Sequence, residues 1–399
     1  MNASTYRQEM KRELQSILKY WMLHSPDEKQ GGFIGRIDGN DQPHPDAPKG
    51  LVLNSRILWA FSAAWRHTGQ WIYRPVATRA YTYLVDHFFD PRSGGAWWSL
   101  DAAGRPLNTR KQIYGQAFAL YGLSEYYHAT GGQTTLDQAI HLYRTIEKHS
   151  SDPVNGGYFE AYDRDWKPLD DLRLSEKDAN EAKTMNTHLH ILEAYTTLYR
   201  VWPDQQLREK LLQLLEIFLG HIAGPGTGHL GLFFTADWRP RSRIISYGHD
   251  IEAAWLLHEA AIAVEDPGYI DRTAALCLKI ADATCKGVDK DGGLWYEKEG
   301  DHLVREKHWW PQAEAMVGFL RAWSISGDER WWNASTGIWD FVKRFIREPS
   351  GKEWYWGVDA NHAPMPGQDK AGFWKCPYHN SRACMQIIYT LERTLEKIP

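Results

Sequence analysis

A glycine–aromatic signal recurs along the chain and restricts its fold more than any other feature. It reads GGF at 31, GGAWW at 94, GGYF at 156, GLFF at 231, GGLWY at 292 and, in degraded form, EWYWG at 353. Most intervals are about sixty residues, and the third is longer by about a dozen. In each signal glycine supplies a tight turn and the aromatics a half-buried extended segment. Such a period means an array of like units, none of which buries its apolar face alone.

Between the signals the apolar residues follow helical spacing. The pattern predicts twelve helices, near 4–24, 51–68, 71–89, 111–130, 134–149, 185–202, 204–221, 249–265, 268–285, 309–326, 329–346 and 378–396. Short turns such as HTGQ and SGDE join some of them, which makes those pairs antiparallel neighbours. The longer linkers, with the glycine–aromatic hairpins, lead into the even-numbered helices. An open solenoid would need polar caps at both ends, and none is visible. The expected fold is therefore all-α: an (α/α)6 barrel, or toroid, of twelve helices with short β-hairpins in the loops of one face. No Pro/Ser/Gly linker or charge block divides the chain, so residues 1–399 are expected to form a single domain.

Composition excludes several classes of partner. A net charge of -4 offers no basic surface for nucleic acid or anionic lipid. No run of about 18 apolar residues exists to span a membrane. The segment MNASTYRQEMKRELQ lacks the apolar stretch of a signal peptide. Cys277/Cys285 and Cys376/Cys384 read as two pairs, each on one helix and about 12 Å apart by the helical rise, too far to bond. A reduced, cytoplasmic protein, acting as a monomer, is expected. Twenty tryptophans and twenty tyrosines suit either a large aromatic core or the CH faces and hydroxyl edges of sugars.

Because alternate helices run parallel, the N-termini of the even helices surround one mouth. They begin with polar and aromatic groups: Asn54 and Arg56; Tyr114 and Gln116; Asn186, His188 and His190, after Asp178 and Glu181; His249, Asp250 and Glu252; Trp309, Trp310 and Glu314; His379 and Arg382, after Phe373 and Trp374. A pocket is expected there. In MNTHLH, residues i and i+4 share a helix face, so Asn186 and His190 look into the mouth together while His188 belongs to the core. Four readings follow. Histidine titrates near neutrality, so two histidines on different helices could work as acid and base on opposite faces of a carbon, with Arg56, His190 and helix N-termini holding an enediolate. His190, His249 and His379 could instead form a zinc centre, although no His-Glu-x-x-His spacing supports it. A glycosidase would draw two carboxylates from Asp178, Glu181, Glu252 and Glu314. A non-catalytic sugar-binding barrel would explain the tryptophans and leave the histidines unexplained.

The strings NSRILWAFSAAW at 54–65, KTMNTHLHILEAYT at 183–196, SYGHDIEAAWLL at 246–257, KHWWPQAEAMVG at 307–318 and FWKCPYHNSRACMQ at 373–386 together carry a resemblance over nearly the whole chain. They closely resemble the cellobiose 2-epimerases of the N-acylglucosamine 2-epimerase superfamily. The resemblance implies an (α/α)6 barrel with no organic cofactor and no required metal. It implies interconversion of glucose and mannose at the reducing end of β-1,4-linked disaccharides such as cellobiose, lactose and mannobiose-type products. The implied course is ring opening, C2 proton abstraction to a cis-enediolate, rotation about C2–C3 and reprotonation. Carried over residue by residue, acid and base fall on His249 and His379, ring opening on His190, and the arginine on Arg56. Tyr114, Asn186 and Glu252 match further site positions, and Asp178 matches a loop residue near the non-reducing sugar. Trp374 and one of Trp309 and Trp310, with Trp310 favoured, match residues that clamp the sugar; Glu314 stands with them as a binding candidate.

Overall fold

The computed structural model describes residues 1–224 and 226–395. Its helices are α1 (Ala3–His24), α2 (Leu51–Thr68), α3 (Arg74–Tyr83), α4 (Ile113–Thr130), α5 (Gln133–Ser150), α6 (Met185–Val201), α7 (Gln205–Ile217), α8 (Tyr247–Val264), α9 (Pro267–Cys285), α10 (Trp309–Ser326), α11 (Glu329–Phe341) and α12 (Tyr378–Leu395). The expected boundaries agree to within about two residues for most of them. Three outer helices run on through a five-residue π-helical turn, Leu84–Phe88, Phe218–Ile222 and Val342–Ile346. Residue 396, the expected end of the last helix, lies outside the described residues.

Even and odd helices differ because they are buried differently. Every residue from Leu51 to Ala64 in α2 and from Ile113 to Tyr126 in α4 is buried, as expected of helices apolar all round. The odd helices bury one stripe, such as Leu136, Ala139, Leu142, Tyr143 and Ile146 of α5. Aspartates start three of them: the Asp204, Asp266 and Asp328 side chains accept backbone N–H groups in the first turns of α7, α9 and α11. Gly69 and Gly327, the glycines of HTGQ and SGDE, stop α2 and α10 in the left-handed conformation that L side chains resist.

The even helices pack in sequence, α2 on α4, then α6, α8, α10 and α12, and α12 returns to α2. The ring is closed. Each odd helix backs an inner neighbour, and α1 packs against α12, so the two ends of the chain complete the last pair. The short strands sew successive linkers together: Lys49–Gly50 pairs antiparallel with Ser99–Leu100, Lys111–Gln112 with Ala161–Tyr162, Lys183–Thr184 with Phe233–Phe234, and Lys307–His308 with Gly357–Val358. A bridge from Ile37 to Ala371 links the first linker to the last. One expectation needs correcting: Cys376 precedes α12 and shares no helix with Cys384. All four cysteines are free thiols.

A second repeat, of ion pairs built on buried lysines, underlies the mouth. A lysine just before the inner helix bonds an acidic residue beside the glycine turn: Lys49 with Asp27 at 2.8 Å, Lys111 with Asp90 at 3.1 Å, Lys183 with Asp152 at 2.7 Å, Lys307 with Asp289 at 2.8 Å and Lys375 with Glu353 at 2.8 Å. Unit four has Ile245 at the lysine position. Lys183 is fully buried and also donates to the carbonyls of Gly156 and Ala236. Burial alone would raise the Asp152 carboxyl, but Lys183 and two backbone N–H groups outweigh it and hold it at about 2. Its stabilising effect is therefore complete above the ordinary value of 3.8 and disappears as pH falls toward 2. Lys183→Met strands a buried carboxylate and should cost about 3–5 kcal/mol in denaturant unfolding. Adding Asp152→Asn should recover part of that loss; no recovery would mean that the carbonyl contacts matter more than the charge.

Candidate active site

Six helices build one site through positions at fixed distances from the recurring place of that lysine. Five residues on stand Asn54, Gln116, His188, Asp250, Gln312 and Asn380; seven residues on stand Arg56, Phe118, His190, Glu252, Glu314 and Arg382. The first set latches the linkers. Gln116 and Gln312 each bond both the N–H and the C=O of a linker residue, Ala96 and Leu294. Asn54 donates to the Gly50 carbonyl, and Asp250 accepts from the Leu230 N–H. His188 is the latch of unit three: its Nε2 accepts from the Tyr158 N–H at 2.9 Å and its Nδ1 lies 2.6 Å from the Thr184 carbonyl. Burial holds it neutral, with its pKa lowered to about 4. Asn54, Gln116 and His188 thus support the mouth and do not open into it.

The second set faces inward. Arg56 is 2% exposed, lies 4.1 Å over the Phe118 ring and 4.7 Å over the Tyr378 ring, and donates to the Tyr114 hydroxyl at 2.9 Å. Its other hydrogen bonds go to the Trp374 carbonyl and the Cys376 sulfur, neither of them a carboxylate. His190 is 3% exposed, edge-on to Tyr114, with Nδ1 2.9 Å from Glu193 Oε2. Burial raises the Tyr114 hydroxyl, so it stays protonated.

His249 and His379 sit at one register of units four and six, and the Trp310 ring of unit five lies between them at centroid distances of 4.7 and 5.6 Å. His249 is half-buried, its Nδ1 2.9 Å from Ser246 Oγ; burial, then His190, lowers its pKa to about 3. His379 is 5% exposed, its Nδ1 2.6 Å from Glu314 Oε1. Burial and the guanidiniums of Arg56 and Arg382 hold it well below 6.5. Both imidazoles are thus neutral and each has a ring nitrogen beyond the one held at Nδ1.

Behind His379 lies a buried charge cluster. Arg382 bonds Glu252 at 2.5 Å, Glu314 at 2.7 Å, Glu193 and the Tyr378 hydroxyl. Glu314 also accepts from Trp255 Nε1 at 3.1 Å. Burial, then Glu314, pushes Glu252 up to about 7. Burial would also raise Glu193, but Arg382 and His190 outweigh it and hold it at about 2. Glu252, Glu314 and His379 are the one group of potential metal ligands that converges among the described residues. Arg382 already binds both of those carboxylates, where a cation would bind. His190, His249 and His379 do not converge as ligands.

A pocket of about 1210 Å3, its open mouth included, extends from His249 beneath the 172–181 segment. Asn186 lines it, with a buried Oδ1 that has no partner. Asp178 lines it too, accepting from the Ser175 N–H and hydroxyl, and burial raises its carboxyl. Glu181 is tied to Arg241 at 3.0 Å. Trp374 is half-buried beside Tyr114 and Trp98. Trp309 is 2% exposed and packs on Trp356.

Sequence reasoning missed Glu193, Tyr378, Glu160, Tyr296 and Glu297. Glu160 and Tyr296 each stand three residues past a double glycine, as does Trp98, so the hairpin register could have found them. Burial pushes Glu160, on the pocket wall, up to about 8 despite hydrogen bonds from Thr184 and Thr187. Glu193 carries no such signal. Among the described residues no helix is long and apolar enough to cross a membrane.

Residues 32–383 match the family described as N-acylglucosamine 2-epimerase (GlcNAc 2-epimerase). A cellobiose 2-epimerase of Bacteroides fragilis is 48% identical over 385 residues, 96% of this chain and 98% of that protein. The solved structure of cellobiose 2-epimerase from Bacillus thermoamylovorans superposes with a TM-score of 0.92 at 39% identity, covering 97% of this chain and 99% of that one. A D-mannose isomerase of Thermobifida fusca is 25% identical, over 87% of this chain and 86% of that protein.

Proposed function

Since the chain belongs to the N-acylglucosamine 2-epimerase family and is a carbohydrate epimerase, we propose that it interconverts glucose and mannose at the reducing end of β-1,4-linked disaccharides such as cellobiose and lactose. One observation carries this reading: two neutral histidines from different helices border one tryptophan ring, beside a buried arginine whose bonds are not to carboxylates. Inversion at C2 needs a proton taken from one face and another delivered to the opposite face. Aldose–ketose isomerisation manages with one base, and of the four carboxylates named for hydrolysis Glu252 and Glu314 are bound to Arg382 and Glu181 to Arg241.

In this mechanism His190 assists opening of the reducing-end ring. One of His249 and His379 removes the C2 proton through its Nε2. Arg56, His190 and the converging helix N-termini stabilise the cis-enediolate oxygen. Rotation about C2–C3 presents the other face, and the second histidine protonates it. Asn186 and Asp178 bind the sugar hydroxyls, and Trp310 and Trp374 pack on its CH faces. The described residues act as one domain, without a required metal.

Trp310→Ala should raise KM for cellobiose about tenfold and lower kcat less, the loss of about 1.4 kcal/mol of stacking. A large drop in melting temperature at unchanged KM would assign that ring to packing. The proposal itself is tested by incubating EDTA-treated protein with cellobiose in D2O and following the reducing-end signals by NMR. Glucosyl-mannose carrying deuterium at C2 is expected. Free glucose would mean hydrolysis, and activity that returned only with added zinc or manganese would make metal ligands of the site residues.

A further inference from the structure

Resting on the epimerisation reading, we propose that the carboxylates gathered on Arg382 store the proton that His379 delivers to C2 and take up the one it removes. Glu193, Glu252 and Glu314 are 4%, 1% and 1% exposed, and one guanidinium serves all three. Were all ionised, two negative charges would lie uncompensated in the barrel core, a state whose desolvation cost favours uptake of a proton. Arg56, the guanidinium at the same register of α2, bonds none of them.

The groups facing this cluster decide where the proton goes. From α6, Glu193 and His190 pair with each other, and Glu193 binds Arg382, which leaves it ionised. From α12, Tyr378 donates to Glu193; from α4, Tyr114 and Tyr121 stay protonated through burial. From α2, Arg56 disfavours charge on His379, as does His249 from α8. Glu252 and Glu314, their ligand atoms within 4.8 Å, are left to share one proton. The directions agree: both carboxyls are raised and His379 is lowered, the reverse of an ordinary histidine–carboxylate pair.

The transfer balances without any co-reactant. When His379 acts as acid, its Nε2–H bond breaks as the C2–H bond forms, and the Glu314 carboxyl proton moves to Nδ1, leaving a carboxylate. When it acts as base, C2–H breaks, Nε2–H forms and the Nδ1 proton passes to Glu314. The imidazole is neutral before and after each step. His249, half-buried and lining the pocket, exchanges its proton with solvent at the mouth.

Two measurements test this. The infrared difference spectrum of free wild-type protein minus Glu252→Gln at neutral pH should contain the carbonyl stretch of a protonated carboxylic acid, and the difference with Glu314→Gln should contain it too. No such band in either would overturn the proposal, whatever the substrate proves to be. In turnover, Glu314→Gln can still hold the His379 ring but has no proton to give. Its kcat should fall about 10²-fold, with KM for cellobiose within about threefold of wild type. A kcat within about threefold of wild type would reduce Glu314 to a positioning residue and refute the store.

Discussion

Replacing His379 or His249 by alanine is expected to lower turnover of cellobiose by at least about 10²–10⁴-fold, the usual worth of one acid–base group. Each histidine serves one face of C2, so neither can replace the other. His249→Ala should hardly affect folding, because that side chain is half-buried, packs on the Trp310 ring and makes one hydrogen bond, to Ser246. His379→Ala frees Glu314 on one side only, and Arg382 still binds it. The single variants should retain one partial reaction. The surviving histidine can remove the C2 proton and return a solvent deuteron to the same face, giving exchange without inversion when it meets its matching epimer. The double variant should do neither. A folded single variant with more than a few per cent of wild-type epimerisation would refute the assignment of acid and base.

Arg56→Met should lower kcat by about 10²–10³-fold, the cost of removing one donor aimed at a developing oxyanion. The same change should leave the melting temperature unchanged or raise it. A buried guanidinium set over Phe118 and Tyr378, and bound to a tyrosine, a carbonyl and a sulfur, is a burden on the folded state that a long apolar side chain does not carry. Activity lost in parallel with a strongly lowered melting temperature would make Arg56 a structural residue.

Much of the site could be read before the fold was known, for reasons of local geometry. Helical spacing separated His190 from His188, and the structure shows His190 inward and His188 latching Tyr158. Polarity at the start of a helix misleads for Asn54 and Gln116. They sit at the latch register shared with His188, and their polarity serves the linkers. Trp309 and Trp310 are adjacent and identical in type, so composition could not rank them; one packs on Trp356 and the other meets both histidines.

The sequence by itself determined the repeat, the twelve helices, the closed ring of helix pairs and the three histidines at its mouth. These follow from short-range rules, because helix period, capping and glycine turns are settled within a few residues of chain. Only the tertiary structure decided the charge partners. Glu193 looks like any polar residue of α6 until α12 brings Arg382 and Tyr378 against it from across the ring. Arg56 and Arg382 occupy one register of the repeat, yet one meets aromatic rings and the other three carboxylates. What stands opposite a side chain depends on ring closure among residues far apart in sequence, and that opposition sets whether a buried charge is paired, neutralised or left to bind substrate.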